Sequence, residues 1–181
     1  MTLKRCSWVK LNNPLYVKYH DEEWGKLVKD EQKLFELLIL ETFQAGLSWE
    51  CVLNKREAFR QAFDNFDLNK IANYDEKKIN LLLNNPYIIR NKLKIKATIN
   101  NAKIYRSIQN EFQSFNRYLQ SFAMNNVIYE IGKTKSELSD KISKDLYKRG
   151  MRFVGSTIIY SYLQAIGIIN SHETDCFCYK K

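Results

Sequence analysis

Three groups of residues in this sequence have the types and spacing for chemistry. The first is a carboxylate close to an aromatic ring, in Leu40-Glu41-Thr42-Phe43-Gln44-Ala45-Gly46-Leu47-Ser48-Trp49. At about 100° per residue, Glu41 lies roughly 20° from Leu34 around a helix axis, on the stripe that also carries Leu37 and Leu38. An unpaired carboxylate in an apolar setting is costly or gives up its charge. Glu41 therefore needs either a nearby cation or helix N-terminus, or a ligand; its own segment leaves both open. Trp49 is either core or a stacking face. Ala45-Gly46-Leu47 lets another backbone or a ligand approach closely.

The second group is the soft ligands. They are Cys6, Cys51, Cys176, Cys178, His20 and His172. His172 and Cys176 are four apart, one turn if helical, so both can face one ion. Cys6 and His20 come from the other end of the chain. Two Cys and two His suit tetrahedral Zn²⁺, although the spacing is not that of a standard finger. Satisfied core histidines and buried thiols are the other reading. The third group lies at about 139–168, a helix, a glycine-bounded hairpin and a second helix. Gly150 and Gly155 relax the backbone, Ser156 is the expected N-cap, and Lys148, Arg149 and Arg152 add charge. Free N–H groups at the second helix start would suit a phosphate oxygen. An ordinary helical hairpin has the same pattern.

The elements that must position these groups read as helices. Asp30 caps a helix reaching Phe43. Others are expected from about Trp49 to Phe63, after Asp67, from Asp75 to Asn84, and from Arg90 to Ser107. Further helices run from Glu111 to Met124, from Ser139 to Gly150, and from Ser156 to Gly167. The segment from Pro14 to Trp24 reads as loop and short helix, and that from Asn125 to Lys135 as irregular. Lys92, Lys96 and Lys103 share a face that is either solvated or in contact with phosphates. Strand signals are weak, so the class is all-α. The 181 residues, 45% of them hydrophobic, suffice for one domain or two small lobes sharing a core. A formal charge of +9 suits a polyanionic partner, or serves solubility alone. No secretory h-region or membrane-length apolar run is present, so the expectation is a cytoplasmic protein off the membrane, with thiols or metal ligands rather than disulfides.

The run Glu41-x-x-Gln44-Ala45-Gly46-Leu47-Ser48-Trp49 resembles the DNA-3-methyladenine glycosylase I family of helix-hairpin-helix DNA glycosylases. So do Cys6-Ser7-Trp8, Pro14-Leu15-Tyr16-x-x-Tyr19-His20-Asp21-x-Glu23-Trp24-Gly25, Lys148-Arg149-Gly150-x-x-Phe153-Val154-Gly155-x-Thr157-Ile158, and Asn170-x-His172-x-x-x-Cys176-x-Cys178-Tyr179. These blocks span essentially the whole chain. The resemblance implies a single compact unit over 1–181 that flips 3-methyladenine out of double-stranded DNA and releases it by hydrolysis, acting as a monomer. It implies that Glu41, the candidate catalytic carboxylate, reads the flipped base first, with activation of water as a general base its alternative role, that Trp49 stacks on the base, and that Trp8, Tyr16 and Tyr19 complete the pocket. It further implies DNA contacts from Gly46, Leu47, Gly150, Arg152, Gly155 and Ser156, with Leu47 filling the gap left by the base. A structural zinc on Cys6, His20, His172 and Cys176 would join the chain ends, with Cys178 as a spare thiol. The family lacks the catalytic aspartate that many relatives place after the hairpin, and here too no Asp follows until Asp175; no lysine occupies Gly155–Glu173 to form a Schiff base, which argues against lyase chemistry. Two departures stand out. Thr42-Phe43 replaces the Gly-containing pair usual after the glutamate, and Phe177 stands where a third cysteine can occur. A non-catalytic nucleic-acid-binding module of the same shape, or a glycosylase of altered base specificity, is the alternative.

Overall fold

A computed structural model describes residues 3–179. Ten α-helices account for most of them: α1 (Pro14–Glu22), α2 (Glu31–Gln44), α3 (Trp49–Leu53), α4 (Arg56–Ala62), α5 (Leu68–Ala72), α6 (Glu76–Asn84), α7 (Lys92–Phe112), α8 (Phe115–Ala123), α9 (Glu137–Lys148) and α10 (Ser156–Ala165). Two short strands, β1 (Ile128–Tyr129) and β2 (Ile169–Asn170), pair in parallel. The helical class expected from the sequence is what the chain adopts.

Helix α2 is the centre. Asp30 caps it by accepting from the Lys33 N–H at 2.7 Å. Every residue from Leu34 to Phe43 is buried. Such a helix has no solvent face. Helix α10 packs against α2 on one side and α9 on the other, while α7 touches α2, α5, α6 and α8. Phe35 stacks edge-on to Tyr105 of α7, and Phe43 does so against Phe59 of α4, with centroids 5.0 and 4.7 Å apart.

Several expected boundaries move. The helix from Trp49 to Phe63 is two, broken at Asn54–Lys55. The long basic helix runs on to Phe112 and ends at Gln113, which takes the left-handed conformation (φ +70°). Ser114 then starts α8 as its cap. The segment from Pro14 is a regular helix with Asn13 as cap. The irregular stretch after Asn125 contains β1, held by Ile128 N–H to Ile168 O and Glu130 N–H to Asn170 O. Helix α9 begins earlier than Ser139, through a capping box of Ser136 with Ser139. Ser156 is not a cap. Gly155 holds that place, and Ser156 is the first helical residue, its hydroxyl 2.8 Å from that of Ser139.

Candidate active site and metal centre

Helices α1, α2 and α3 bring their aromatic and acidic residues to one cavity of about 400 Å³. Its walls include Trp8, Tyr16, Tyr19, Glu41 and Trp49. These are the five residues the sequence pointed to as a base pocket. Tyr19 and Trp49 face each other at 5.1 Å between ring centroids, tilted by 46°. The side of Trp8 contacts Tyr16 and Trp24, at 5.7 and 4.7 Å.

Glu41 is 2% exposed, and its Oε2 has no hydrogen-bond partner among the described residues. Burial alone pushes its carboxyl up to about 8. The cationic partner that would have made it structural belongs to another residue. Glu36, five residues earlier, accepts from Arg56 Nε at 2.6 Å and Arg60 Nε at 3.0 Å. The indole N–H of Trp49 is a second buried group without a partner among the described residues. An orphan acceptor and an orphan donor thus line one aromatic cavity. Buried groups of that kind call for a ligand or a strain-storing role.

The turn after α2 presents Leu47. Leu47 N–H donates to Gln44 O at 2.7 Å, Ala45 has φ −49° and ψ 115°, and Gly46 has φ +77°. This is a type II turn, whose third residue needs positive φ and so glycine. Leu47 stands 42% exposed beside the cavity. Thr42 and Phe43, the departure from the family pattern, are outside the cavity lining. Thr42 bonds Ile39 O, and Phe43 packs into the core.

Part of the lining lies outside the predicted set. Ile131, Gly132 and Lys133, after β1, form one wall, and Ser161, Gln164, Ser171 and Glu173 another. Gln164 Nε2 donates to Ser171 Oγ at 2.8 Å. Helical spacing of Ser161 and Gln164 on α10 was a usable signal for that wall; nothing local marked Ile131–Lys133.

The hairpin between α9 and α10 is a glycine-flanked loop that buries Met151 and Val154 and exposes Arg152 and Gly155. Gly150 has φ +99°, Gly155 has open space around it, and no side chain caps α10. Its first N–H groups lack a side-chain acceptor, as an anion site requires. Of the basic residues there, Arg149 is committed to Asp145 and Glu111 at 2.7 and 2.6 Å. Arg152 is exposed, its guanidinium 5.4 Å from the centroid of the Tyr147 ring. On α7, Lys96 pairs with Glu76, and Lys92 and Lys103 are solvent-exposed.

Cys6, His20, His172 and Cys176 meet, all buried, with their ligand atoms within 4.8 Å of one another. The separations are 3.5 Å for Cys6 Sγ to His172 Nδ1, 3.4 Å for Cys176 Sγ to His20 Nε2, and 3.7 Å for Cys176 Sγ to His172 Nδ1. Bonds of about 2.0–2.3 Å in a tetrahedron place ligand atoms about 3.3–3.8 Å apart, the range of these three separations. The other ring nitrogens are engaged: His20 Nδ1 lies 2.8 Å from Asp21 Oδ1, and His172 Nε2 lies 3.2 Å from Trp24 O. That orients both rings with their remaining nitrogens inward. The thiol sulfurs accept backbone N–H groups, Cys6 from Glu173 and Cys176 from Cys178. His172 and Cys176 reach the site across turns rather than along a helix. Cys178 groups with His20 and Asp21 instead, outside the four. The cluster could hold a metal ion.

Comparison with known proteins agrees with this geometry. DNA-3-methyladenine glycosylase 1 of Escherichia coli (strain K12) is 43% identical over 183 residues, covering 98% of this chain and 97% of that one. A crystal structure of 3-methyladenine DNA glycosylase I superimposes with a TM-score of 0.94, at 43% identity and covering 98% and 100% of the two chains. A variant of 3-methyladenine DNA glycosylase I crystallised with 3-methyladenine matches with a TM-score of 0.93, at 32% identity and 98% coverage of each chain. A family model described as methyladenine glycosylase matches residues 8–179, and the chain belongs to that family.

Proposed function

We propose that this protein is a monofunctional DNA glycosylase that flips 3-methyladenine out of alkylated double-stranded DNA and releases it by hydrolysis. The relatives are named DNA-3-methyladenine glycosylases. What carries the reading to this chain is Glu41, buried with its Oε2 unpartnered among the described residues, in an aromatic cavity large enough for a purine. Methylation at N3 makes adenine cationic, so the base is already a good leaving group. The glycosidic bond breaks with its electron pair going to the base, which departs neutral. Water attacks the sugar carbon and loses a proton. The protein's task is to recognise and hold.

Each part has a place in that task. Tyr16, Tyr19, Trp8 and Trp49 offer electron-rich faces to a cation, and Trp49 stacks on the base. The Glu41 carboxylate accepts from the purine N–H groups and complements their charge, and the Trp49 indole N–H offers a donor to a ring nitrogen. Leu47, raised on the Gly46 turn, fills the gap left by the base. Gly150, Arg152, Gly155 and Ser156 grip the backbone, as a helix-hairpin-helix does. Unstacking a damaged base requires only a few kcal/mol. Cys6, His20, His172 and Cys176 would hold a structural Zn²⁺. With four protein ligands that ion leaves no open position, so it would supply a tether between the chain ends and no chemistry. The protein acts as a monomeric, single unit in the cytoplasm.

The test is release of free bases from methylated duplex DNA, with the products identified by chromatography. Release of 3-methyladenine is expected. Duplex binding with no base released would instead favour a non-catalytic module. Release of a different base would favour altered specificity, against which Thr42 and Phe43 count by lying outside the cavity.

A further inference from the structure

Helix α7 carries three buried polar side chains on one face. Lys94, Thr98 and Asn101 fall within about 60° of one another around its axis, and all are buried. Asn101 brackets the peptide of Arg152. Its Nδ2 donates to Arg152 O and its Oδ1 accepts from Arg152 N–H, each at 2.9 Å. Asn100 adds a bond to Gly150 O at 2.9 Å. The hairpin is therefore built onto α7.

Two turns earlier the same face holds the other DNA-facing turn. Lys94 Nζ donates to Phe43 O at 2.7 Å and Ala45 O at 2.5 Å. These are among the last carbonyls of α2, directly before Gly46 and Leu47. A cation at a helix C-terminus is favourable, and α2 has no basic residue of its own in its last turn. The same ammonium lies 5.9 Å from the centroid of the Phe153 ring, within cation–π range. Phe153 has φ +57°, a conformation that a residue with a Cβ keeps only when its surroundings determine it. One buried ammonium thus touches both the turn that presents Leu47 and the hairpin.

We propose that Lys94 is a positioning residue for base extrusion, fixing the spacing between the Gly46–Leu47 turn and the 150–155 hairpin. Apolar insertion and phosphate grip must act at neighbouring positions of one duplex. A relative shift of about 1 Å is enough to cost such a site roughly 100-fold. Lys94 is outside the cavity lining and so touches neither base nor reacting atoms. The role rests on the glycosylase reading above.

The test uses Lys94→Met and Lys94→Arg in the full chain, with three measurements. These are single-turnover release of 3-methyladenine from alkylated duplex, affinity for free 3-methyladenine, and fluorescence of 2-aminopurine placed beside the damaged base as a report of unstacking. Lys94→Met is expected to release base roughly 10- to 100-fold more slowly, with a weaker fluorescence rise and unchanged affinity for the free base. Lys94→Arg, which keeps charge and donors, should recover most of the rate. Wild-type release from Lys94→Met, or free-base affinity lost in proportion to release, would overturn the role. Should Lys94→Met not fold, Phe153→Leu decides. It removes the ring face, and is expected to slow release and weaken the fluorescence rise; wild-type values of both overturn the proposal. Wild-type protein that releases no base rejects the glycosylase reading itself, which separates the two failures.

Discussion

Two carboxyls of α2 share burial and differ in what meets them. Glu36 is held by Arg56 and Arg60, and Arg56 also binds Glu23 of the loop after α1 at 3.0 Å. Glu41 faces the cavity, with burial as the sole influence on its carboxyl. The helical stripe could not separate them, because α2 is buried all round and both positions are inside. The difference lies in chain segments far away that supply, or do not supply, a cation. Glu41 has a folded-state pKa of about 8, against an ordinary value of 4.5. Its protonated form is the one folding favours. The stability it contributes is present below pH 4.5 and is lost as pH rises toward 8. Glu41→Gln removes that loss, which is of the order of a few kcal/mol. The variant should therefore melt higher than wild type, by more at pH 8 than at pH 5, while releasing far less 3-methyladenine. Affinity for undamaged duplex should stay the same. Calorimetry at the two pH values, beside a release assay, checks this. A lower melting temperature with base release preserved in the folded fraction would make Glu41 structural and the pocket assignment wrong.

Among the elements, the helices with a polar cap and an apolar set were legible: Asp30, Asp67 and Asp75 each cap the helix that follows. Breaks made by ordinary residues were not. Gln113 takes a left-handed conformation without being glycine, and α3 ends at Asn54 without a proline. The wall of Ile131–Lys133 was equally hidden, because β1 and β2 have two residues each and pair Ile128 with Ile169 across the sequence. Two residues carry no period. Lys94 stood in a row of basic residues, and the one that faces inward could not be told from its neighbours. The loop between α9 and α10 was legible, since its glycines mark it. Gly155→Val would place a branched side chain in the open space before α10. Undamaged-duplex affinity should fall alike for all sequences, and the slope of log affinity against log salt should flatten by about one as a phosphate contact is lost. Titrations at several salt concentrations measure both, and an unaltered slope would remove the hairpin from the interface. Gly167 ends α10 at φ +75°, where a Cβ would sit 2.2 Å from the Lys26 carbonyl carbon. Gly167→Ala is expected to lower the melting temperature by roughly 10 °C, the equivalent of a few kcal/mol at this chain length. A shift within about 2 °C would mean that the backbones of residues 26 and 167 separate readily.

At the scale of the whole molecule, the two ends of the chain build the site together. Trp8, Tyr16 and Tyr19 come from one end, Ser171 and Glu173 from the other, and the four soft ligands sit where these ends meet. Trp8 is common to both places, with its ring 5.3 Å from His20 and 5.7 Å from Tyr16. Direct bonds across the junction run through the cluster and along its rim: His172 Nε2 lies 3.2 Å from Trp24 O, and Glu173 N–H meets Cys6 Sγ at 3.4 Å. Ser7 N–H donates to Glu173 at 2.8 Å, and Phe177 N–H to Lys4 O at 2.8 Å. Burial pushes the Cys6 thiol up to about 12 and holds the His172 imidazole down to about 4, so these two groups favour their uncharged forms. A tetrahedral ion would turn the cluster into a cross-link closing nearly the entire chain, and in such sites binding energy becomes folding energy. One zinc per chain is the expected content after purification without chelator. Removing it should lower the melting temperature, and a tether worth even about 3 kcal/mol corresponds to roughly 6–12 °C here. Cys176→Ser should reproduce that loss. The hairpin on α9 and α10 lies outside the four-ligand cluster, so undamaged-duplex affinity measured well below the lowered transition should match wild type. Metal analysis, melting with and without chelator, and duplex titration of the variant separate these effects. A protein that is metal-free as purified and melts at the same temperature with a strong chelator would leave the four residues as core histidines and thiols, and the closure of the ends to packing around Trp8 and the direct bonds across the junction.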